Sequence, residues 1–193
     1  SLADVVEEAI RAGVTFLQLR EKNLDNVSFL KLAREIKSIT DKYKIPYVIN
    51  DNVEVAMASG ADGVHVGQED MDAQDVRRII GPDKILGVSA QTVEQALLAE
   101  KKGADYIGVG SVFPTSTKLD AEAVSFETLK EICKAVSIPV VAIGGINKDN
   151  AMKLAGSGID GIAVVSAIFA QEDITAAVKQ LRQISYRVVC HEI

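Results

Sequence analysis

Histidine and cysteine are both scarce: the 193-residue chain has two of each, His65, His191, Cys133 and Cys190. Two histidines cannot build a His-rich zinc site. No metal-like spacing surrounds the cysteines, which read as one buried thiol and one tail thiol. Positive charge is also in deficit. The net charge of −6 offers nucleic acid no global attraction, so any anion must be held by a local cluster of donors. The sequence shows neither a signal-peptide pattern nor an apolar run long enough for a bilayer. The expectation is a cytoplasmic protein with no membrane and no nucleic-acid partner.

What the sequence does contain is alternation. Hydrophobic residues make up 48% and charged residues 25%, an ordinary globular balance. Helical spacing of Leu2, Val5, Val6, Ala9 and Ile10 predicts a helix over 2–12, ended by Gly13. Short apolar segments then read as strands over 14–19, 46–49, 63–66, 85–88, 106–109, 139–143 and 161–165. Between them, amphipathic spacing predicts helices over 27–43, 53–59, 73–80, 93–102, 126–136 and 149–155, with a last helix over 174–183. Short, fully apolar strands separated by helices imply a parallel sheet buried on both faces. Glycines recur before several strands, as in Gly60-Ala61-Asp62-Gly63, Gly103-Ala104-Asp105 and Gly158-Ile159-Asp160-Gly161. This points to equivalent βα units within one domain spanning 1–193, and to a parallel (β/α)8 TIM barrel. Such barrels typically need ~250 residues, so this chain is somewhat short. An open doubly wound sheet is the alternative, because sequence does not report strand order.

In a βα barrel the chemistry lies on the loops after the strands. Gln18 and Arg20 share one face of the first strand, and Lys22 follows. An inward arginine needs an anion, either a structural carboxylate or a substrate. Asn50-Asp51 ends the next strand and His65-Val66-Gly67-Gln68-Glu69-Asp70 the one after it. Asp51 and Asp70 on neighbouring loops suit Mg²⁺ shared with a phosphate, but each also precedes a helix that it could cap. His65 is read as a satisfied core or rim histidine, not as a base. Ser89 either donates to phosphate or caps the next helix. The loop of Pro114, Thr115, Ser116, Thr117 and Lys118 offers three hydroxyls and an ammonium to anionic oxygens. Gly144-Gly145, and Val165-Ser166 opening a short helix over 166–169, match a phosphate cradle in which backbone amides face the anion.

Taken in order, Gln18-Leu19-Arg20-Glu21-Lys22, Asn50-Asp51, His65 to Asp70, Gly87-Val88-Ser89, Pro114 to Lys118, Gly144-Gly145-Ile146 and Val165-Ser166 resemble the thiamine phosphate synthase family. The resemblance implies a transferase that joins hydroxymethylpyrimidine diphosphate to thiazole phosphate, releasing pyrophosphate. It also implies residue roles. Gln18, Arg20, Lys22, Asn50, Ser89 and Lys118 would hold the pyrimidine diphosphate. Asp51 and Asp70 would hold Mg²⁺, and Thr115, Ser116, Thr117, Gly145, Val165 and Ser166 the thiazole phosphate. Arg20, Lys22, Ser89 and Lys118 would act in catalysis. A ring-nitrogen nucleophile needs no general base, which agrees with a histidine-poor site. Competing readings are a thiazole tautomerase, which needs neither the Mg²⁺ carboxylates nor the Arg20/Lys22 cluster, a phosphosugar isomerase or aldolase, and a non-catalytic phosphate-ligand sensor. A homo-oligomer is compatible with all of them.

Family members carry a strand before the helix that begins here near Leu2. Residues 186–190 are β-prone and alternate in part between polar and apolar. A right-handed crossover would set them in the vacant first position, so the sequence predicts that this segment supplies strand one.

Overall fold

The computed structural model describes residues 1–114 and 123–190. Its strands are β1 (Leu17–Leu19), β2 (Tyr47–Asn50), β3 (Gly63–Val66), β4 (Ile85–Ala90), β5 (Tyr106–Val109), β6 (Val140–Ile143) and β7 (Gly161–Ala163). They form one parallel sheet of seven strands in sequence order. The helices are α1 (Leu2–Ala12), α2 (Asn26–Tyr43), α3 (Val53–Ser59), α4 (Ala73–Ile80), α5 (Val93–Lys101), α6 (Phe126–Ala135), α7 (Ser166–Phe169) and α8 (Ile174–Val189). Sequential strand order rules out the doubly wound alternative, in which the order reverses. Where residues 149–155 were expected to form an α-helix, a 3₁₀ turn, Ala151–Leu154, stands instead. Among the described residues, no helix is long and apolar enough to cross a membrane.

Strand register sorts the side chains into two faces. Ile49, Val64, Leu86, Ile107 and Ala142 are fully buried with helix residues such as Ala33, Ile36, Leu129 and Ile132. Each buried large aliphatic side chain contributes about 1.5–3 kcal/mol relative to exposure. The opposite face carries the cross-strand row Asn50, His65, Gly87 and Tyr106, paired in register. This inner face is where polar groups collect.

The repeated Gly-x-Asp segments have a structural explanation. Asp62 accepts the Tyr47 N–H at 2.9 Å, Asp105 the Leu86 N–H at 2.7 Å and Asp160 the Val140 N–H at 2.8 Å. Each aspartate enters a strand and clamps the start of the strand before it. The backbone reciprocates, with Asp62 N donating to Tyr47 O, Asp105 N to Leu86 O and Asp160 N to Val140 O. The device recurs every second strand and fixes register at the end of the sheet remote from the functional loops.

The expectation for residues 186–190 fails. They are helical, lying in the last turns of α8 and its cap. The deciding pattern is Val178, Leu181 and Val188, buried on one side, with Ile184 packed on the core between them. That spacing continues the helix beyond residue 183, and it outweighs the partial alternation and β-propensity of a short tail. The sheet therefore has β1 and β7 as edges among the described residues. The helical layer, by contrast, spans that gap. Thr175 Oγ1 donates to Glu8 Oε1 at 2.9 Å and Arg182 to Gly13 O at 2.7 Å. Ala9 of α1 shares an apolar cluster with Val178 and Leu181 of α8.

Replacing Asp160 with alanine would leave the N–H of buried Val140 without its acceptor, which costs about 1–3 kcal/mol. We expect Asp160→Ala to lower the urea midpoint clearly and Asp160→Asn, which keeps an acceptor oxygen, to lower it less. Equal losses in the two variants would show that hydrogen bonding is not the aspartate's contribution.

Candidate active site at the C-terminal ends of the strands

The strands all run the same way, so their C-terminal ends gather on one side of the sheet. Gln18 lies in β1 and Arg20 just beyond it, both exposed. No ion pair of Arg20 occurs among the described residues, which leaves the structural-carboxylate explanation without support there. Lys22 pairs with Asp51. Asn50 closes β2 on the inner face, in register with His65.

The capping alternative for the two aspartates fails at the helix ends themselves. Asn52 caps α3, accepting the Val55 N–H at 2.9 Å. Asp72 caps α4, accepting the Gln74 N–H at 2.9 Å. Both helices are thus capped by a neighbour, and Asp51 and Asp70 are free for another task. Asp51 adopts a left-handed backbone, φ 63, uncommon outside glycine and tolerated by aspartate. Its N–H donates to His65 O at 2.8 Å. Asp70 accepts the Gly67 N–H at 2.7 Å. The Asp70 carboxyl titrates above its usual range, first because of desolvation and then because the Asp51 carboxylate lies within hydrogen-bonding reach, with the Gly67 amide and then Lys22 opposing.

Two adjoining carboxylates on separate loops, with a lysine leaning on one of them, are an arrangement that a hard cation relieves. Among the described residues, no group of three or more His, Cys, Asp or Glu side chains could hold a metal ion. A pair of carboxylates is the donor set that Mg²⁺ takes from a protein when water and substrate phosphate fill its remaining positions.

Ser89 does not cap the helix that follows it. That cap is Thr92. Its Oγ lies 2.8 Å from His65 Nε2, and its carbonyl accepts from Gln68 Nε2 at 2.6 Å. His65 is buried, 7% exposed, and its other nitrogen lies 2.8 Å from the Tyr106 hydroxyl. Burial depresses the His65 pKa to about 4, against a smaller opposing pull from Asp70, so the ring is neutral near pH 7. Burial also pushes the Tyr106 hydroxyl well up. The expectation that His65 is a satisfied histidine holds. The roles of Tyr106 and Gln68 escaped sequence reasoning. One usable signal was present: Gly87 and Gly108 stand beside His65 in space, on the two strands that follow it.

On the other side of the site, the loops after β5 and β6 interlock. Val112 N donates to Ile143 O at 3.0 Å and Phe113 N to Gly144 O at 3.1 Å. Gly145 has φ 65, and a Cβ there would lie 2.3 Å from Pro114 O, so only glycine fits. Asn150 Nδ2 holds the Gly145 carbonyl at 2.8 Å. Thr115, Ser116, Thr117 and Lys118 lie outside the described residues. Val165 and Ser166 are exposed at the start of α7, which is anchored by buried Ile168. The structure thus brings Gln18, Arg20, Lys22, Asn50, Asp51, Asp70, Ser89, Gly145, Val165 and Ser166 to one end of the sheet.

Comparison with known proteins accords with this geometry. A family model described as thiamine monophosphate synthase matches residues 1–168. The chain belongs to the thiamine monophosphate synthase family. It is 57% identical over 180 residues to a thiamine-phosphate synthase of Clostridium tetani, covering 93% of this chain and 86% of that one. It is 58% identical over 184 residues to the one of Ruminiclostridium cellulolyticum, covering 95% and 88%. Among solved structures, a thiamine phosphate pyrophosphorylase from Pyrococcus furiosus superimposes with a TM-score of 0.91 at 43% identity, covering 98% of this chain and 91% of that one.

The raised Asp70 pKa has a consequence for stability. A carboxyl whose folded pKa lies above its unfolded value stabilises the fold fully at pH below the unfolded value, ordinarily 3.8, and that contribution is lost as pH rises through the folded value. In chelator at pH 7, Asp70→Asn, which keeps an acceptor for Gly67, should therefore melt at or above the wild-type temperature. The gap should close as the pH falls towards the ordinary carboxylate range. Calorimetry showing a lower melting temperature for the variant at pH 7 would count against a repelling pair.

Proposed function

We propose that the chain catalyses the reaction of its family, joining a hydroxymethylpyrimidine diphosphate to a thiazole phosphate with release of pyrophosphate, and that it does so by dissociative loss of the diphosphate. The observation that carries the reading is the Asp51–Asp70 pair beside Lys22, relieved of capping by Asn52 and Asp72. A barrel binding thiazole phosphate alone, the tautomerase alternative, has no need of that cluster. An aldolase or isomerase wants a Schiff-base lysine or an acid–base pair at a strand end. The buried histidine, engaged on both nitrogens, is no such base. A sensor without turnover would have little reason to hold two carboxylates in this state.

In this account Gln18, Arg20, Lys22, Asn50, Ser89 and Lys118 bind the pyrimidine diphosphate. Thr115, Ser116, Thr117, Gly145, Val165 and Ser166 bind the thiazole phosphate. Asp51 and Asp70 would hold Mg²⁺, which supplies, when bound, positive charge facing the departing diphosphate. The guanidinium of Arg20 and the ammonium groups of Lys22 and Lys118 stabilise the same developing charge. The electron-rich aminopyrimidine carries the positive charge left behind. The thiazole nitrogen attacks with its own lone pair, so no residue removes a proton from it. A phosphate grip on each substrate sets the pyrimidine methylene carbon and the thiazole nitrogen in register, which replaces a costly encounter by an ordered one. We infer that an eighth strand between β1 and β7 completes the barrel. Support comes from the strands that flank the gap: Phe16, entering β1 on the inner face, is 39% exposed against Val48 at 0% on interior β2, and no residue of β7 is fully buried. The highly charged substrates suit the cytoplasm.

Asp51→Asn and Asp70→Asn should each lower Mg²⁺-dependent pyrophosphate release by at least ~100-fold, since each removes part of the several kcal/mol of charge stabilisation such a site supplies. Both variants should fold. Near-normal rates in both would remove the metal from these residues.

A further inference from the structure

Binding and charge stabilisation leave unused the polar chain behind Ser89, which is centred on the buried His65. It begins at Tyr106 on β5, crosses His65 on β3 and ends at Ser89 on β4, through two contacts of 2.8 Å. Glycines make the room for it. A Cβ at Gly87 would lie 2.4 Å from His65 Nδ1 and 2.3 Å from Tyr106 Cζ, and one at Gly108 would lie 3.1 Å from His65 Cε1. The Phe16 and Tyr106 rings also meet edge to face, with centroids 5.5 Å apart and planes at 70°, which holds the tyrosine ring in place.

The direction of the hydrogen bonds follows from donor and acceptor counting. A neutral imidazole has one N–H and one bare nitrogen. Among the described residues, the hydrogen-bond partner of the Tyr106 hydroxyl is His65 Nδ1. Tyr106 is half-buried with its hydroxyl desolvated, and a desolvated hydroxyl proton takes the acceptor beside it, so Tyr106 donates to Nδ1. The ring proton then sits on Nε2 and donates to Ser89 Oγ. With its oxygen accepting that proton, the Ser89 hydroxyl turns its own proton away from His65 and keeps it available to an acceptor at the strand end. Gln68 fixes the Ser89 backbone from outside by its 2.6 Å bond to the carbonyl.

We propose that Tyr106 and His65 are positioning residues that set the histidine tautomer and thereby hold Ser89 as a one-way hydrogen-bond donor to the departing diphosphate. The proposal rests on the reading of Ser89 as a substrate contact. Donors in such a chain polarise one another, and a donor aimed where negative charge grows acts on turnover more than on ground-state binding.

The chain's two histidines make the test direct. In protein labelled with ¹⁵N-histidine, nitrogen–proton correlation spectra should show His65 with a protonated Nε2 and a bare Nδ1. Tyr106→Phe should lose that fixed tautomer. Its kcat for pyrophosphate release should drop about 10-fold, a fraction of the ~100-fold or more that removing a direct donor costs, with KM for both substrates within about twofold. His65→Gln, whose amide can still donate to Ser89, should keep more activity than His65→Leu. A wild-type Nδ1–H tautomer, or Tyr106→Phe with unchanged kcat, overturns the relay. Ser89→Ala separates the two levels. If its kinetics are those of the wild type, the assignment of Ser89 fails. If it is impaired while Tyr106→Phe is not, the relay alone falls.

Discussion

Two carboxylates within hydrogen-bonding reach of each other repel when both are ionised, and the end of the sheet where they meet is organised around that fact. Asp51 sits in a left-handed backbone conformation, and Asp70 is tied to the Gly67 amide. Neither position is one that helix capping requires, because the adjacent Asn52 and Asp72 already do it. Lys22 offsets part of the repulsion, yet Asp70 still titrates high. Such a pair is a standing preference for a cation, and Lys22 and Arg20 lie at the same end of the sheet. In the function proposed above, the repulsion within the free pair and its use in holding a cation are two results of one arrangement.

The rest of the fold separates stability from chemistry by placing them at opposite ends of the strands. At the N-terminal ends, Asp62, Asp105 and Asp160 clamp strand starts and keep register. At the C-terminal ends, polar groups are spent on the site. Between the two ends, one face of the sheet is aliphatic and sealed by helices, and the other carries Asn50, His65 and Tyr106 in one row with Gly87 between the two rings. The glycine is what lets an imidazole and a phenol meet across a β-strand. The same aspartate residue type serves as clamp, cap and cation-seeking pair in one chain, and only its partners tell the roles apart.

Local pattern carried much of this. Helix α1, with Gly13 closing it, and helices α3 and α4 lie where apolar spacing predicts them, as do β3 and β5. The strand-end segments were legible because each sits between an apolar strand and a helix start. The tail was misread because residues 186–190 are too few for propensity to decide, whereas Val178, Leu181 and Val188 form a longer-range pattern that does. The capping question around Asp51 and Asp70 had no local answer, since Asn52 and Asp72 compete for the same helix ends. Tyr106 and Gln68 were invisible for a different reason. Their partners are 41 and 21 residues away, and strand register, which the sequence does not state, brings them together.

The central claim is that this site ionises a pyrimidine diphosphate and delivers it to a thiazole phosphate. The most direct measurement supplies both substrates to the wild-type protein and follows pyrophosphate and thiamine phosphate together, with Mg²⁺ and with chelator. The account predicts the two products in equal amounts, with turnover that requires both substrates and collapses in chelator. Pyrophosphate absent under all conditions, or formed at the same rate without Mg²⁺, would contradict it.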